Sequence, residues 1–134
     1  MTSPVPSCRD EIAAQIRAYR DLVGAASKAS GMSLVRIDAA LAAFEPAFFN
    51  NLLVALDARF AARATAAGPS AEVRLLAASL LAGGGVLHAR GDVPYDADES
   101  VLRIDVGERI ALNADDFEAL CAAFLDEIEP GSAA

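Results

Sequence analysis

The chain has 134 residues, enough for one domain with a buried core. Hydrophobic residues make up 54% of it and charged residues 22%, a composition that argues against intrinsic disorder. The formal net charge is −8, and residues 91–134 carry twelve acids but only two arginines. This charge balance argues against nucleic acid as a partner, because phosphate contacts require clustered lysines and arginines.

The N-terminal residues 1–7 contain two prolines and two serines and are predicted to form a flexible tail. They include neither a basic segment nor an apolar run, so we expect no secretory signal and a cytoplasmic protein. The uncharged apolar stretch Leu75–Leu87 is too short and too rich in glycine to cross a bilayer. We therefore expect no membrane partner.

Two helices are predicted in the first half of the chain. Ser7 is expected to cap the first of them. Ser33 is expected to cap the second, because an apolar stripe with helical spacing follows it. That stripe comprises Leu34, Ile37, Leu41, Phe44, Phe48, Leu52, Leu56 and Phe60. Pro46 interrupts the stripe, and proline removes a backbone donor and clashes with the preceding turn, so we predict a kink or a break there.

A third helix is predicted to begin at Ser70 and to end at Gly83-Gly84-Gly85, since glycine adopts the left-handed helix cap at little cost. Beyond it the apolar spacing changes from helical to alternating. The segments that alternate are Val86–Arg90, Val101–Asp105 and Arg109–Leu112. They predict a three-stranded antiparallel sheet, in which a three-residue loop would pair Ile104 with Ile110.

A final amphipathic helix is predicted after Asn113, which can cap it, with Asp115 and Asp116 in the first turn. Its apolar stripe comprises Phe117, Leu120, Cys121, Phe124, Leu125 and Ile128. The predicted fold class is therefore α+β: N-terminal helices, one of them long and broken near Pro46, then the sheet and the C-terminal helix. We expect a single domain over 1–134, mostly helical over 8–82, with the sheet and last helix over 83–134.

His88 is the only histidine, so a histidine-dependent nucleophile or general base would have to use it. Strand alternation would place His88, Arg90, Arg103 and Arg109 together on the outer face of the sheet. Arginines in such a group suit an anionic ligand, which they bind through planar bidentate hydrogen bonds. The alternative interpretation is a solvated sheet face with ordinary cross-strand ion pairs, and we favour it.

The sequence predicts no cofactor and no metal site. The two cysteines, Cys8 and Cys121, form neither a disulfide framework nor a metal-binding pattern. The acidic stretch 96–100 lacks the glycine that a calcium-binding loop requires. Gly83-Gly84-Gly85 follows a helix, whereas phosphate-binding glycines precede one. No catalytic residue is assigned from these patterns.

The long stripe of the second helix suggests an assembly role. A helix of this length offers more apolar surface than one small sheet can cover, so we expect a homodimer built on residues 33–66. The function predicted from the sequence is a non-catalytic acidic interaction or assembly protein, such as an adaptor, a chaperone-like protein or an immunity-type partner. Its other expected partner is a basic protein. The alternative is an anion-binding protein or enzyme that uses His88 and the three arginines.

Overall fold

A computed structural model of the chain describes residues 4–28, 32–63, 68–91 and 93–129. In this part of the chain the secondary structure is almost entirely helical. The four α-helices are α1 (Pro4–Ala26), α2 (Met32–Arg59), α3 (Gly68–Ala82) and α4 (Ala114–Ile128). Short 3-10 turns cover Ala61–Arg63 and Ala97–Glu99.

The predicted α+β class is wrong, because the described residues contain no β-strand and form an all-α fold. Two isolated antiparallel bridges, Val86 with Arg109 and Arg90 with Val93, are the β-type pairings among these residues. The predicted partners Ile104 and Ile110 do not pair in a ladder. Residues 107–110 instead contact residues 85–87, where the Leu87 N–H donates to the Glu108 carbonyl at 2.9 Å.

Side chains of α3 bind backbone groups that a sheet would otherwise have paired. The carboxylate of Glu72 accepts the N–H groups of Val101 at 2.8 Å and Leu102 at 3.0 Å. The hydroxyl of Ser79 accepts the N–H of His88 at 3.1 Å. Backbone polar groups that leave water need partners, and here helix side chains supply them.

Side chains of α2 likewise bind backbone groups at the C-terminal end of this segment. The Asn50 amide donates to the Ile110 carbonyl at 3.0 Å and accepts the N–H of Leu112 at 3.2 Å. The Glu45 carboxylate accepts the N–H of Ala114 at 3.2 Å, at the beginning of α4. The segment from 101 to 112 is therefore held against two helices without belonging to a sheet. It is not continuously extended, because Arg103 has a φ of +56° and a turn over 105–108 contains Gly107 with a φ of +95°.

The predicted alternation of burial along this segment is nevertheless present. Ile110 and Leu112 are buried, and Leu102 and Ile104 are half-buried against the core. The arginines and the acid between them point outward, because Arg103, Asp105 and Arg109 are exposed. Such alternation does not require a sheet, because here the core-facing side chains on either side of the turn over 105–108 pack against helices.

Three predicted helix starts differ from the observed ones. The tail expected over 1–7 is already helical from Pro4, because proline suits the first turn of a helix, where the N–H has no partner. Ser33 lies inside α2, which begins at Met32, and α3 begins at Gly68, two residues before Ser70. The predicted end of α3 is confirmed: the helix stops at Ala82, and Gly84 and Gly85 have φ of +69° and +82°.

Pro46 does not break the helix that contains it, since α2 runs without interruption from Met32 to Arg59. An internal proline costs about 3 kcal/mol. Phe49, Leu53 and Leu56, which follow it, are buried, and each such side chain contributes roughly 1.5–3 kcal/mol. This burial offsets the local cost.

By length and composition, the part of α2 over Val35–Arg59 could cross a membrane, as could the core helix of many soluble proteins. Only 17% of its most apolar window is buried. The expectation of no membrane partner rested on Leu75–Leu87 and stays a prediction.

The helices α1 and α2 form an antiparallel hairpin, and α4 packs along α1 in the opposite direction. Arg20 of α1 pairs with Asp115 at the beginning of α4 at 2.7 Å. Arg9 pairs with Asp126 near the end of α4 at 2.6 Å. The predicted stripe of α4 is buried in the core, apart from the half-buried Ile128.

The predicted cap of α4 is confirmed. The Asn113 side chain accepts the N–H of Asp116 at 2.7 Å, and the Asp116 carboxylate accepts the N–H of Asn113 in return. This reciprocal arrangement is a capping box, and it fixes where the extended segment turns into the helix.

Candidate functional site

The C-terminal end of α3 carries two of the four predicted ligand-binding residues. His88 and Arg90 line a shallow depression of about 270 Å³ together with Ala78, Ser79, Ala82 and Gly83. His88 and Arg90 are both exposed. The structure thus brings these two residues to one place, open to solvent.

The His88 ring is held by the glycine turn that ends α3. Its Nε2 atom lies 3.0 Å from the carbonyl oxygen of Gly83, and because a carbonyl can only accept, Nε2 carries the hydrogen. A side chain on residue 83 would not fit, because a Cβ there would lie 2.4 Å from the His88 Cδ2 atom. Only Nδ1 of the neutral ring is left to accept a proton or a ligand hydrogen bond.

The other two predicted residues do not line this depression. Arg109 lies opposite Val86, and its Nη1 atom packs 3.5 Å from where a Cβ on Gly85 would stand. Arg103 has a φ of +56°, and its N–H donates to the Ser100 hydroxyl at 2.8 Å. Because the predicted sheet does not form, its outer face does not exist to gather the four side chains. The ligand-binding role of His88, Arg90, Arg103 and Arg109 stays a prediction.

A cavity of about 250 Å³ between the start of α3 and the segment 94–101 was not predicted from the sequence. Its lining comprises Gly68, Pro69, Glu72, Pro94, Tyr95, Asp96, Glu99, Ser100 and Val101. Glu72 is its buried polar residue, and the sequence did contain a signal for it. Glu72 stands three, four and seven residues before Leu75, Leu76 and Ser79, which places it on the buried face of the helix.

The polar groups of Glu72 and Tyr95, which line this cavity, are already bound within the protein. Both oxygens of Glu72 accept backbone N–H groups, as described above. The Tyr95 hydroxyl donates to the Ile104 carbonyl, and it lies 3.4 Å from the Ser100 hydroxyl. Burial raises the pKa of Glu72, and the two N–H bonds oppose this rise. We therefore interpret this cavity as the place where Glu72 holds the segment that begins at Val101 against α3.

Neither cysteine has the character of a nucleophile. Cys8 and Cys121 are free and buried, as is usual for cysteines that serve as packing. Burial raises the pKa of both thiols, most strongly that of Cys121. Because the thiolate is the reactive form, a raised pKa lowers reactivity at neutral pH. Within the described ranges, no three His, Cys, Asp or Glu side chains are grouped so that they could hold a metal ion.

Two sets of acidic residues in the C-terminal half differ in whether they form ion pairs. Acids of α4 pair with arginines of α1, as Asp115 and Glu118 do with Arg20. The second set lies on the segment 93–110 and is exposed. We call it the acidic face, and it comprises Asp96, Asp98, Glu99, Asp105 and Glu108. None of these five forms an ion pair with another residue in the described part of the chain.

Comparisons with known proteins add no assignment. No family model, curated protein or solved structure matches the chain.

Proposed function

We propose that this chain is a non-catalytic acidic interaction or assembly protein, homodimeric, that binds a basic protein through its acidic face. The observation that carries the proposal is the set of five exposed carboxylates on residues 93–110. They belong to a chain with a net charge of −8, which steers a basic partner toward them. The rigid attachment of this segment to α2 and α3 supports the proposal, because a fixed surface loses less entropy on binding.

The test is a comparison of two triple variants with the same change in charge. The first neutralises the acidic face (Asp98→Asn, Glu99→Gln, Asp105→Asn), and the control neutralises paired acids of α4 (Asp115→Asn, Glu118→Gln, Asp126→Asn). Affinity capture from the native cell lysate, quantified by mass spectrometry at low and high salt, should recover basic proteins with the wild type. We expect capture to be lost in the first variant and at high salt, because rim charges are screened, and to be retained in the control.

Capture that is equal in both triple variants, or that does not change with salt, would argue against the acidic face. Surface ion pairs contribute about 0–1 kcal/mol each, so the control variant should still fold. Thermal unfolding of both variants checks this before capture is compared.

The second candidate function is anion binding at the end of α3, favoured by the depression that His88 and Arg90 share. A thermal-shift screen of anionic metabolites tests it, because a ligand that binds the folded state raises the apparent melting temperature. We expect any such shift to disappear in Arg90→Ala and to persist in Arg103→Ala, since Arg103 does not line the depression. A screen without a shift, or a shift unaffected by Arg90→Ala, would remove this candidate.

A further inference from the structure

The far end of the α1–α2 hairpin projects beyond the rest of the fold. The helix α4 begins at Ala114, whose N–H binds Glu45, and Arg20 lies beside its first turn. The helical residues of 21–44 therefore extend past the N-terminal end of α4, and we call them the arm. At 1.5 Å per residue the α2 part of the arm is about 20 Å long.

Burial changes abruptly where the arm joins the body. From Phe49 onward α2 has a buried face, which includes Leu53, Leu56 and the adjoining Phe60. No residue from Val35 to Phe48 is fully buried. Within the interface predicted over 33–66, the apolar face of residues 49–60 is thus occupied by the core of the protein itself, and the part before Phe49 is free; residues 64–66 lie outside the described ranges.

An apolar seam between α1 and α2 continues along the arm without a cover. Tyr19 stacks on Phe44 and Phe48, with ring centroids 6.5 and 6.3 Å away. Phe44 is 45% exposed, and beyond these rings Leu22 and Val23 are 51% and 37% exposed. The open seam comprises Leu22, Val23, Ile37, Leu41 and Phe44, which lie at helical spacing on the facing sides of the two helices. In the body, the neighbouring surface of the hairpin is covered by α4.

The charge of the arm differs from that of the whole chain. Residues 21–44 carry two acids (Asp21 and Asp38) and two bases (Lys28 and Arg36), so their formal charge is zero. The net charge of −8 therefore resides outside the arm. Two copies of an acidic protein repel each other least where their charges are balanced.

We infer that the open seam is the interface between two copies of this chain, whose arms pack face to face as an antiparallel four-helix bundle. The inference rests on the proposed self-association and assigns its place. A two-fold interface uses the same patch twice, so each seam supplies the apolar cover that the other lacks. A notch of about 380 Å³ beside the start of α4, lined by Tyr19, Val23 and Glu45 among others, leaves room for the end of the partner's arm.

The size of the arm sets the expected strength of the dimer. The α2 parts of the two arms, each about 20 Å long, would bury on the order of 800–1,000 Å² over both copies together with the shorter α1 parts, at the low end for specific association. The chain should therefore dimerise with a dissociation constant in the micromolar range.

A lipid surface suits the arm less well than a second copy does. The arm is about 20 Å long, whereas the hydrocarbon core of a bilayer measures roughly 30 Å. The rest of α2 cannot lengthen it, because Phe49 and Leu53 are buried in the core. Amphipathic helices that lie on membranes carry more basic than acidic residues, which attracts them to anionic lipids. The arm has no such excess, because its two basic residues are balanced by two acidic ones.

Sedimentation velocity over a range of micromolar concentrations tests the interface. We expect the wild type to show a concentration-dependent monomer–dimer equilibrium. Leu22→Glu should weaken the dimer about 100-fold or more, because it places a charge in an apolar contact. Ala40→Glu, at an exposed position on the same part of α2, should act similarly and serves if Leu22→Glu does not fold. The matched control is Leu81→Glu, at a position 72% exposed on α3, which should leave the equilibrium unchanged.

A wild-type monomer throughout this range would overturn the inference, as would dimers that persist in both arm variants while each is shown to be folded by circular dichroism. Flotation with neutral and anionic lipid vesicles is the second measurement, and binding abolished by Leu22→Glu would assign the seam to lipid instead. Capture of basic proteins by folded, monomeric Leu22→Glu would show that the acidic face works independently. The two proposals can therefore fail separately.

Discussion

Replacing Phe124 by alanine is expected to lower the free energy of unfolding by about 3–5 kcal/mol. The ring is buried in the centre of α4 and meets Phe60 edge-on, with the centroids 6.0 Å apart. The substitution removes the transfer energy of a phenyl group and leaves a cavity at the junction of α2 and α4, which a close-packed interior fills only in part. Chemical denaturation of the wild type and the variant measures the difference.

The matched control for Phe124→Ala is Leu81→Ala. Leu81 is also a large apolar residue on a helix, but its side chain is 72% exposed. Its truncation should change the free energy of unfolding by about 0.5 kcal/mol or less. Equal losses in the two variants, or a loss below about 1 kcal/mol for Phe124→Ala, would show that α4 is not the core element its burial indicates.

The sequence was sufficient for α4 because everything that defines this helix is local. Asn113 and Asp116 stand three residues apart and cap each other, and Phe117, Leu120 and Phe124 follow at helical spacing. Local hydrogen bonds and one apolar face decide such a helix whatever it packs against. The glycines after Ala82 are informative for the same reason, since their backbone conformation depends on a few neighbouring residues.

The local pattern could not distinguish a sheet from an irregular segment packed on helices. Alternation around Leu102, Ile104 and Ile110 indicates which side chains face the core, but it does not say which groups take the backbone hydrogen bonds. The partners are Glu72 and Asn50, which lie 29–30 and 60–62 residues away along the chain. Polar residues at core-facing positions of helices were the available signal, and only a three-dimensional packing shows what they bind.

The four residues predicted to bind an anion are brought together only in part, for a related reason. His88 and Arg90 stay together because they are two residues apart in an extended stretch beside α3. Bringing all four together required the predicted sheet, in which Ile104 pairs with Ile110; that pairing does not form, and Arg109 instead lies opposite Val86 in an isolated bridge. In contrast, the acidic face depends only on the acids along one segment, so their exposure does not depend on whether that segment forms a sheet.

The second large effect is expected at Glu72, whose carboxylate fastens the extended segment to α3. Glu72→Ala removes the acceptor for the N–H groups of Val101 and Leu102, and a lost bond to a partly buried donor costs roughly 1–3 kcal/mol. Because two donors lose their acceptor and the exposed Val101 can bind water instead, we expect a total loss of about 2–4 kcal/mol in the free energy of unfolding. Glu99→Ala is the control, because Glu99 lines the same cavity with an exposed side chain and should cost about 0.5 kcal/mol or less.

The pH dependence of stability reports how strongly the buried position of Glu72 disfavours its charge, against the two N–H bonds that favour it. Burial holds the pKa of Glu72 above its ordinary value, so the folded protein binds this proton more tightly than the unfolded chain does. The contribution of Glu72 to stability is then fully present below the unfolded pKa and declines as the pH rises through the folded pKa. Glu72→Gln cannot ionise at this position. The free energy of unfolding of the wild type, minus that of Glu72→Gln, should therefore be larger at mildly acidic pH than at neutral pH. A stability difference between the two that does not change with pH, measured by denaturation at both conditions, would contradict this prediction, because it would mean that the two N–H bonds cancel the cost of burying the charge.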